Sequence, residues 1–213
     1  MKLPRLALVL ACLASLVGHP AHADATAREW RFKVFLEDSP IGRQTFRLTE
    51  EGPRSTVRIE ASLDVKILFF TAYSYRHENE EVWEGGCLES IRTKTDDNGE
   101  PFRVSGSRSG EAFLVETAGG KESLPGCVQS FAYWNLEQLR NPRLLNSQTG
   151  KYEPVSVREI GEETLSYRGS DVRARRFALE SPEFRIDLWY SDANEWLALE
   201  SLRGGRTLRY VRE

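Results

Sequence analysis

The residues with the most chemical capacity in this sequence fall in one short stretch, 73–83. Taken at every second position, it reads Tyr73, Tyr75, His77, Asn79, Glu81 and Trp83. The other phase, Ser74, Arg76, Glu78, Glu80, Val82 and Glu84, is that of a solvated surface. An imidazole and a carboxylate on one face are ingredients of general acid–base chemistry. They also suit a small amphiphile: Tyr73, Tyr75 and Trp83 would hold its apolar part, and His77 and Glu81 its head group. No nucleophile motif accompanies the pair and no third group orients the histidine, so no catalytic residue is assigned. The plainer alternative is a strand that overshoots the core and leaves these polar groups at its wet edge.

Cysteine chemistry depends on where the mature chain begins. Lys2 and Arg5 precede an uncharged apolar run, 6–17, which Pro20 and the small-x-small sequence Ala21-His22-Ala23 follow. This is the pattern of a cleaved leader. It predicts processing between Ala23 and Asp24 and a periplasmic or secreted protein. The run is shorter than the roughly 20 residues that span a bilayer, and no other run is long enough for a transmembrane anchor. Cys12 lies in a poor lipidation context, Val9-Leu10-Ala11-Cys12. Export would leave two cysteines, Cys87 and Cys127, one histidine and no methionine. Two cysteines in an oxidising compartment predict one disulfide, worth about 4 kcal/mol in the chain-entropy account. A zinc site needs more Cys or His than remain, and the Cys-x-x-Cys spacing of a redox pair is absent. Neither metal nor cofactor is expected.

The whole chain carries 29 Lys+Arg and 32 Asp+Glu; without Lys2 and Arg5 the counts are 27 and 32, a net charge of −5. That acidity argues against a nucleic-acid partner. Gly119-Gly120-Lys121 is a turn, since no phosphate-loop frame surrounds it.

Positioning the residues of 73–83 falls to strands. Trp30, Phe32, Val34 and Leu36 alternate with charged residues, as do Phe46 and Leu48, and then Val57, Ile59, Ala61, Leu63 and Val65. Such alternation marks half-buried antiparallel strands. Asn98-Gly99 is a two-residue hairpin turn; it sets Thr95 opposite Phe102 and Thr93 opposite Val104. Strand 73–84 then has to choose a phase. Placing Ile91 beside Glu81 turns Tyr75, His77, Glu81 and Trp83 inward, and requires an odd-length loop or a glycine bulge at Gly85-Gly86. Helical character is confined to 135–145, capped by Asn135 and stopped by Pro142. Further strands are expected at 173–179, 184–190, 196–202 and 207–211. The five tryptophans, Trp30, Trp83, Trp134, Trp189 and Trp196, are expected in the core, with Tyr133-Trp134 as the alternative lip of a cavity. The expected fold is all-β, one domain over 24–213: a single curved antiparallel meander forming an open or half-closed barrel.

Several short motifs occur together: Pro40-Ile41-Gly42, Tyr73-x-Tyr75-x-His77, Glu81-x-Trp83-x-Gly85-Gly86 and Thr95-Asp96-Asp97-Asn98-Gly99. Tyr133-Trp134-Asn135, Leu144-Leu145-Asn146-x-x-Thr149-Gly150 and Leu188-Trp189-Tyr190-Ser191-Asp192 follow. In this order they resemble a family of exported bacterial β-proteins classed as a domain of unknown function. The resemblance covers nearly the whole mature chain. It implies a secreted, β-rich open barrel, similar in outline to the half-barrel of periplasmic lipoprotein carriers. It implies no activity and no catalytic residue.

Three functions compete. The first is a non-catalytic binding module holding a lipid or other small apolar ligand against Tyr73, Tyr75, His77, Glu81, Trp83 and Trp134. The second is a structural or assembly protein of the envelope with a filled core. The third is a hydrolase using His77 and Glu81. An open aromatic hollow favours the first, and a solid core with an exposed apolar patch the second. The third needs His77 and Glu81 within hydrogen-bond reach of each other.

Overall fold

A computed structural model describes residues 26–213. The leader, Cys12 and the Ala23/Asp24 junction lie outside the described residues. The first eight strands are β1 (Thr26–Leu36), β2 (Ser39–Glu51), β3 (Arg54–Ile67), β4 (Phe70–Glu84), β5 (Cys87–Asp97), β6 (Glu100–Ser109), β7 (Ala112–Thr117) and β8 (Gly120–Pro125). A connector follows, with a single helical turn α1 (Leu136–Leu139) and the small hairpin β9 (Arg143–Leu145) and β10 (Tyr152–Pro154). The last five strands are β11 (Ser156–Tyr167), β12 (Ser170–Glu180), β13 (Arg185–Tyr190), β14 (Trp196–Arg203) and β15 (Arg206–Arg212).

All strands but β9 and β10 form one 13-stranded antiparallel sheet, ordered β11-β12-β13-β14-β15-β1-β2-β3-β4-β5-β6-β7-β8. The sheet is not closed into a barrel. It is two meanders joined where the C-terminal strand β15 pairs with β1, Phe32 opposite Arg212 and Leu36 opposite Leu208. Its free edges, β8 and β11, follow one another among the strands of this sheet, with α1, β9 and β10 between them in the chain. The segment 126–155 that links them therefore acts as a strap across the sheet.

Alternation decides which face each strand buries. Trp30, Phe32 and Val34 of β1 are buried while Arg31 and Lys33 are exposed. Phe46, Leu48, Val57, Leu88, Val104, Phe113, Leu188 and Trp196 extend the same inner face. Val128, Ala132, Trp134, Leu136, Leu139, Leu144 and Leu145 of the strap belong to that same core. The core thus lies between sheet and strap. On the outer face charges alternate across strands: Arg47 bridges Glu29 and Glu60, each at 2.9 Å, and Arg58 pairs Glu80 at 2.8 Å. Such exposed pairs set register more than they add stability.

The Pro40-Ile41-Gly42 motif is a bulge. Val34 pairs Gly42 and Phe35 pairs Pro40, so Ile41 is the extra residue; it is buried with Val34 and Leu63. Gly42 has φ +152, and a Cβ there would lie 2.0 Å from the Ser62 carbonyl oxygen. Only glycine allows β2 and β3 to approach so closely.

Two expectations need correction. The helical segment ends at Leu139; residues 143–145 are strand β9, because Pro142 cannot continue a helix and Leu145 pairs Tyr152 instead. At Gly85-Gly86 the turn is a plain two-residue one, with Glu84 opposite Cys87. The extra residue is instead Glu89 of β5, left unpaired between Leu88, which pairs Trp83, and Ser90, which pairs Val82. Both glycines have positive φ, 58° and 79°, which favours the tight turn over a longer loop.

Candidate functional site

Among the described residues β4 is the longest strand, at 15 residues. With Ile91 opposite Glu81, Thr95 opposite His77 and Asp97 opposite Tyr75, its inner phase is the expected one. His77, Asn79, Glu81 and Trp83 are buried, whereas Arg76 and Glu78 are exposed. Tyr73 and Tyr75 are half-buried. The polar groups are therefore not at a wet edge. It is the opposite end of β4, at Phe70, that leaves the core.

The strap covers this face along its length. The Cys87–Cys127 disulfide, Cα atoms 5.1 Å apart, fastens the start of the strap to β5. Next to it, the Leu88 amide donates to the Val128 carbonyl at 2.9 Å. Gln129 Nε2 donates to the Gly86 carbonyl at 3.0 Å. Ser130 Oγ donates to Glu81 Oε2 at 2.9 Å. Trp134 then lies edge-on to Trp83, with centroids 5.9 Å apart. The far end is tied by Thr93 Oγ1, which donates to the Ser147 carbonyl at 2.7 Å. There Tyr75 Oη donates to Gln148 Oε1 at 3.0 Å and Gln148 Nε2 to Asp97 Oδ2 at 3.0 Å. Asn146 Oδ1 accepts from the amides of Gln148 and Thr149, so the Asn146-x-x-Thr149-Gly150 motif builds the turn that presents Gln148. Tyr133-Trp134 is part of this packing rather than a lip: Tyr190 Oη donates to the Tyr133 carbonyl at 2.7 Å.

Each buried ionisable group on β4 has its own environment. Glu81, 2 % exposed, accepts from Asn79 Nδ2 at 2.9 Å, Trp83 Nε1 at 3.1 Å and Ser130. Burial raises its pKa against the opposing pull of these bonds. His77 shares a 2.8 Å hydrogen bond between Nδ1 and Thr95 Oγ1. Desolvation pushes its pKa down to about 4, so the ring is neutral at pH 7. Burial also raises the Tyr75 phenol, which stacks on the imidazole at 6.1 Å.

Of the six candidate residues, Tyr75, His77, Glu81, Trp83 and Trp134 thus meet the strap or lie under it. Tyr73 belongs to the Asp97 end, where its Oη donates to Asp97 Oδ1 at 2.5 Å. His77 and Glu81 do not form a pair: they bond to different partners, and four residues along a strand separate them by roughly 13 Å. Sequence reasoning missed Ser130 and Gln148: Ser130 has no strand partner that its own stretch encodes, and Gln148 is an unspecified position of Asn146-x-x-Thr149. One surface hollow, of about 500 Å³, opens on the outer side of the sheet, where Glu80, Arg92, Ser105, Leu114 and Glu116 line it, with Ile91, Gly106 and Val115 also reached. Among the described residues no group of three His, Cys, Asp or Glu could hold a metal, and no helix is long and apolar enough to cross a membrane.

A family model, the domain of unknown function DUF6134, matches residues 32–213. The chain belongs to that family. The fold of this DUF6134 protein is similar to the crystal structure of a beta-barrel-like protein of domain of unknown function DUF1849 from Brucella abortus. The two are 10 % identical with a TM-score of 0.64, over 87 % of this chain and 94 % of the other. That likeness is one of fold. No curated protein matches the chain.

Proposed function

We propose that this DUF6134 protein is a non-catalytic scaffold of the cell envelope, exported by its leader, which acts through its outer surface rather than through an interior ligand. One observation carries this reading: the face bearing His77, Glu81 and Trp83 is already occupied by the protein's own strap, bonded from Cys127 to Gln148. A solid core of this kind, together with the apolar tip at 67–70, is the combination that favours assembly over ligand storage. The hydrolase reading loses its support, because His77 and Glu81 have separate partners.

A second reading has one observation in its favour. Asn79 Oδ1, Trp134 Nε1 and Gln138 Oε1 are buried without a hydrogen-bond partner, and such groups cost about 1–3 kcal/mol each. A strap seated over unsatisfied groups could yield its place to an amphiphile, whose apolar part would then meet Tyr73, Tyr75, Trp83 and Trp134. The experiment that separates the readings is a melting screen against lipids and small hydrophobes, with native mass spectrometry of the exported protein. The scaffold reading predicts no small molecule held in the interior and no melt shift that depends on Tyr75 or His77. A ligand that raises the melt of the wild type, but not of Tyr75→Ala and His77→Ala, would establish the second reading instead.

A further inference from the structure

The β3–β4 hairpin ends in four consecutive large apolar residues, all in the open. Ile67 is 63 % exposed, Leu68 86 %, Phe69 96 % and Phe70 76 %. Exposed runs of this kind are absent from ordinary surfaces unless they do something. We propose that this tip inserts into the headgroup–acyl boundary of a lipid bilayer and holds the protein at a membrane surface. The inference stands whether or not the interior ever opens.

Four observations carry it. First, the tip projects. The last pair between β2 and β3 is Gly42 with Leu63, and the last between β4 and β5 is Tyr75 with Asp97. Beyond them 64–74 has no strand partner but itself; Val65 still packs on Val34, Ile41 and Leu63 and the Ser74 carbonyl still accepts from the Asn98 amide, whereas every residue from 66 to 72 is exposed. Second, the apex itself is wholly apolar. Ile67 and Phe70 are a cross-strand pair and share one face, and Leu68 and Phe69 form the turn beyond them. The next pair, Lys66 with Thr71, sets polar side chains just behind the apex, the order that a shallowly inserted tip requires. Third, the turn is chemically wrong for a hairpin in water. Leu68 has φ 54°, a left-handed conformation that is costly for a bulky side chain. Other hairpins of this sheet give such positions to Gly85-Gly86, Asn98-Gly99 and Gly204-Gly205, or to the polar Glu37 and Arg168, and Leu68 is the large apolar residue among them. A strained residue kept where a better one is available points to function. Fourth, the backbone suits shallow insertion. Ile67 and Phe70 are paired, so only the turn itself leaves peptide groups that need headgroup or water partners. Exposed Lys66 sits one residue behind, where a lysine can extend its ammonium to the phosphates.

The surroundings define the lipid class. Glu37 and Asp38 of the β1–β2 turn and Asp96 and Glu100 of the β5–β6 turn are exposed at the same end of the sheet. They offset Lys66 and Arg206 there. Leu202, 65 % exposed at the β14–β15 turn, adds apolar surface at that end. Attachment is accordingly hydrophobic, with no requirement for anionic lipid and little sensitivity to salt.

The test is co-sedimentation of the full mature chain with phosphatidylcholine vesicles, and with vesicles also containing phosphatidylglycerol, at low and high salt. The comparison variant is Leu68→Gly/Phe69→Ser, which supplies favoured hairpin residues. The wild type should sediment with both vesicle types at both salt concentrations. The variant should partition about tenfold or more weakly, while its melting temperature stays level or rises, since the strained position is relieved. A wild type left in the supernatant, or a variant that sediments equally well, overturns the proposal. So does self-association without vesicles that the variant abolishes, which would make a second copy the occupant. Binding only to the anionic vesicles and only at low salt would also overturn it, in favour of adsorption by charge.

Discussion

Trp83→Ala is expected to destabilise the protein by about 3–5 kcal/mol, as truncation of a large buried aromatic does. Trp83 is 2 % exposed. It lies where sheet and strap meet, edge-on to Trp134. The loss has a second component, because Trp83 Nε1 is one of three donors to the buried Glu81 carboxylate. Removing a donor leaves a buried acceptor less satisfied, which adds to the cost. Chemical denaturation of oxidised wild type and variant measures the difference. Phe69→Ala, on the exposed tip, is the control and should lie within about 0.5 kcal/mol of wild type. A Trp83→Ala protein as stable as the control would mean that the tryptophan lines an open hollow instead of filling a core.

Acidification should weaken the fold through His77. Its folded-state pKa of about 4 lies below the ordinary 6.5. The folded state therefore holds this proton less readily than the unfolded chain. The stability it contributes is complete above pH 6.5 and declines as pH falls from 6.5 toward 4. Below 4 the loss levels off, at roughly 3 kcal/mol. Glu81 acts oppositely. Its raised pKa favours the protonated folded form, so its contribution is greatest at acid pH and diminishes as pH rises through its folded value. The observed acid limb is therefore shallower than His77 alone would give. His77→Gln keeps a polar group for Thr95 and isolates the effect. The difference in stability between wild type and variant should change across pH 6.5–4 and be constant on either side. A pH-independent difference would contradict the buried, neutral imidazole.

Local chemistry made much of this molecule legible in its sequence. Asn98-Gly99 set its own hairpin, with Thr95 opposite Phe102 and Thr93 opposite Val104. The apolar set on β4 chose its phase, since a one-residue slip would have buried Arg76, Glu78 and Glu80. The Cys87–Cys127 bridge followed from an isolated pair of cysteines. Asn135 does cap a helical turn, accepting from the amides of Glu137 and Gln138.

The strap was not legible, for a physical reason. Val128, Ser130, Ala132 and Trp134 alternate with less buried residues just as a strand would, yet 126–142 contains no named strand and Ser130 forms only an isolated bridge with Leu145. Its conformation is set by contacts with β4, β5 and β13, distant in sequence, and no local pattern encodes them. The pairing of β15 with β1 has no local signal either. The tip was different. Ile67-Leu68-Phe69-Phe70 stands in plain view between Lys66 and Thr71, four apolar residues where a hairpin needs a turn, and that signal was present in the sequence.

The central claim is that the strap is a permanent part of the core, and native-state hydrogen exchange of the oxidised, ligand-free protein tests it most directly. The amides to follow are Leu145, bonded to the Gln129 carbonyl, and Gly150, bonded to Asn146, with those of β1 and β3 as the reference. The account predicts that strap and core strands exchange together, within about tenfold of one another, through global unfolding. Strap amides that exchange orders of magnitude faster while β1 and β3 remain protected would contradict it, because the strap would then be a lid over an interior that opens.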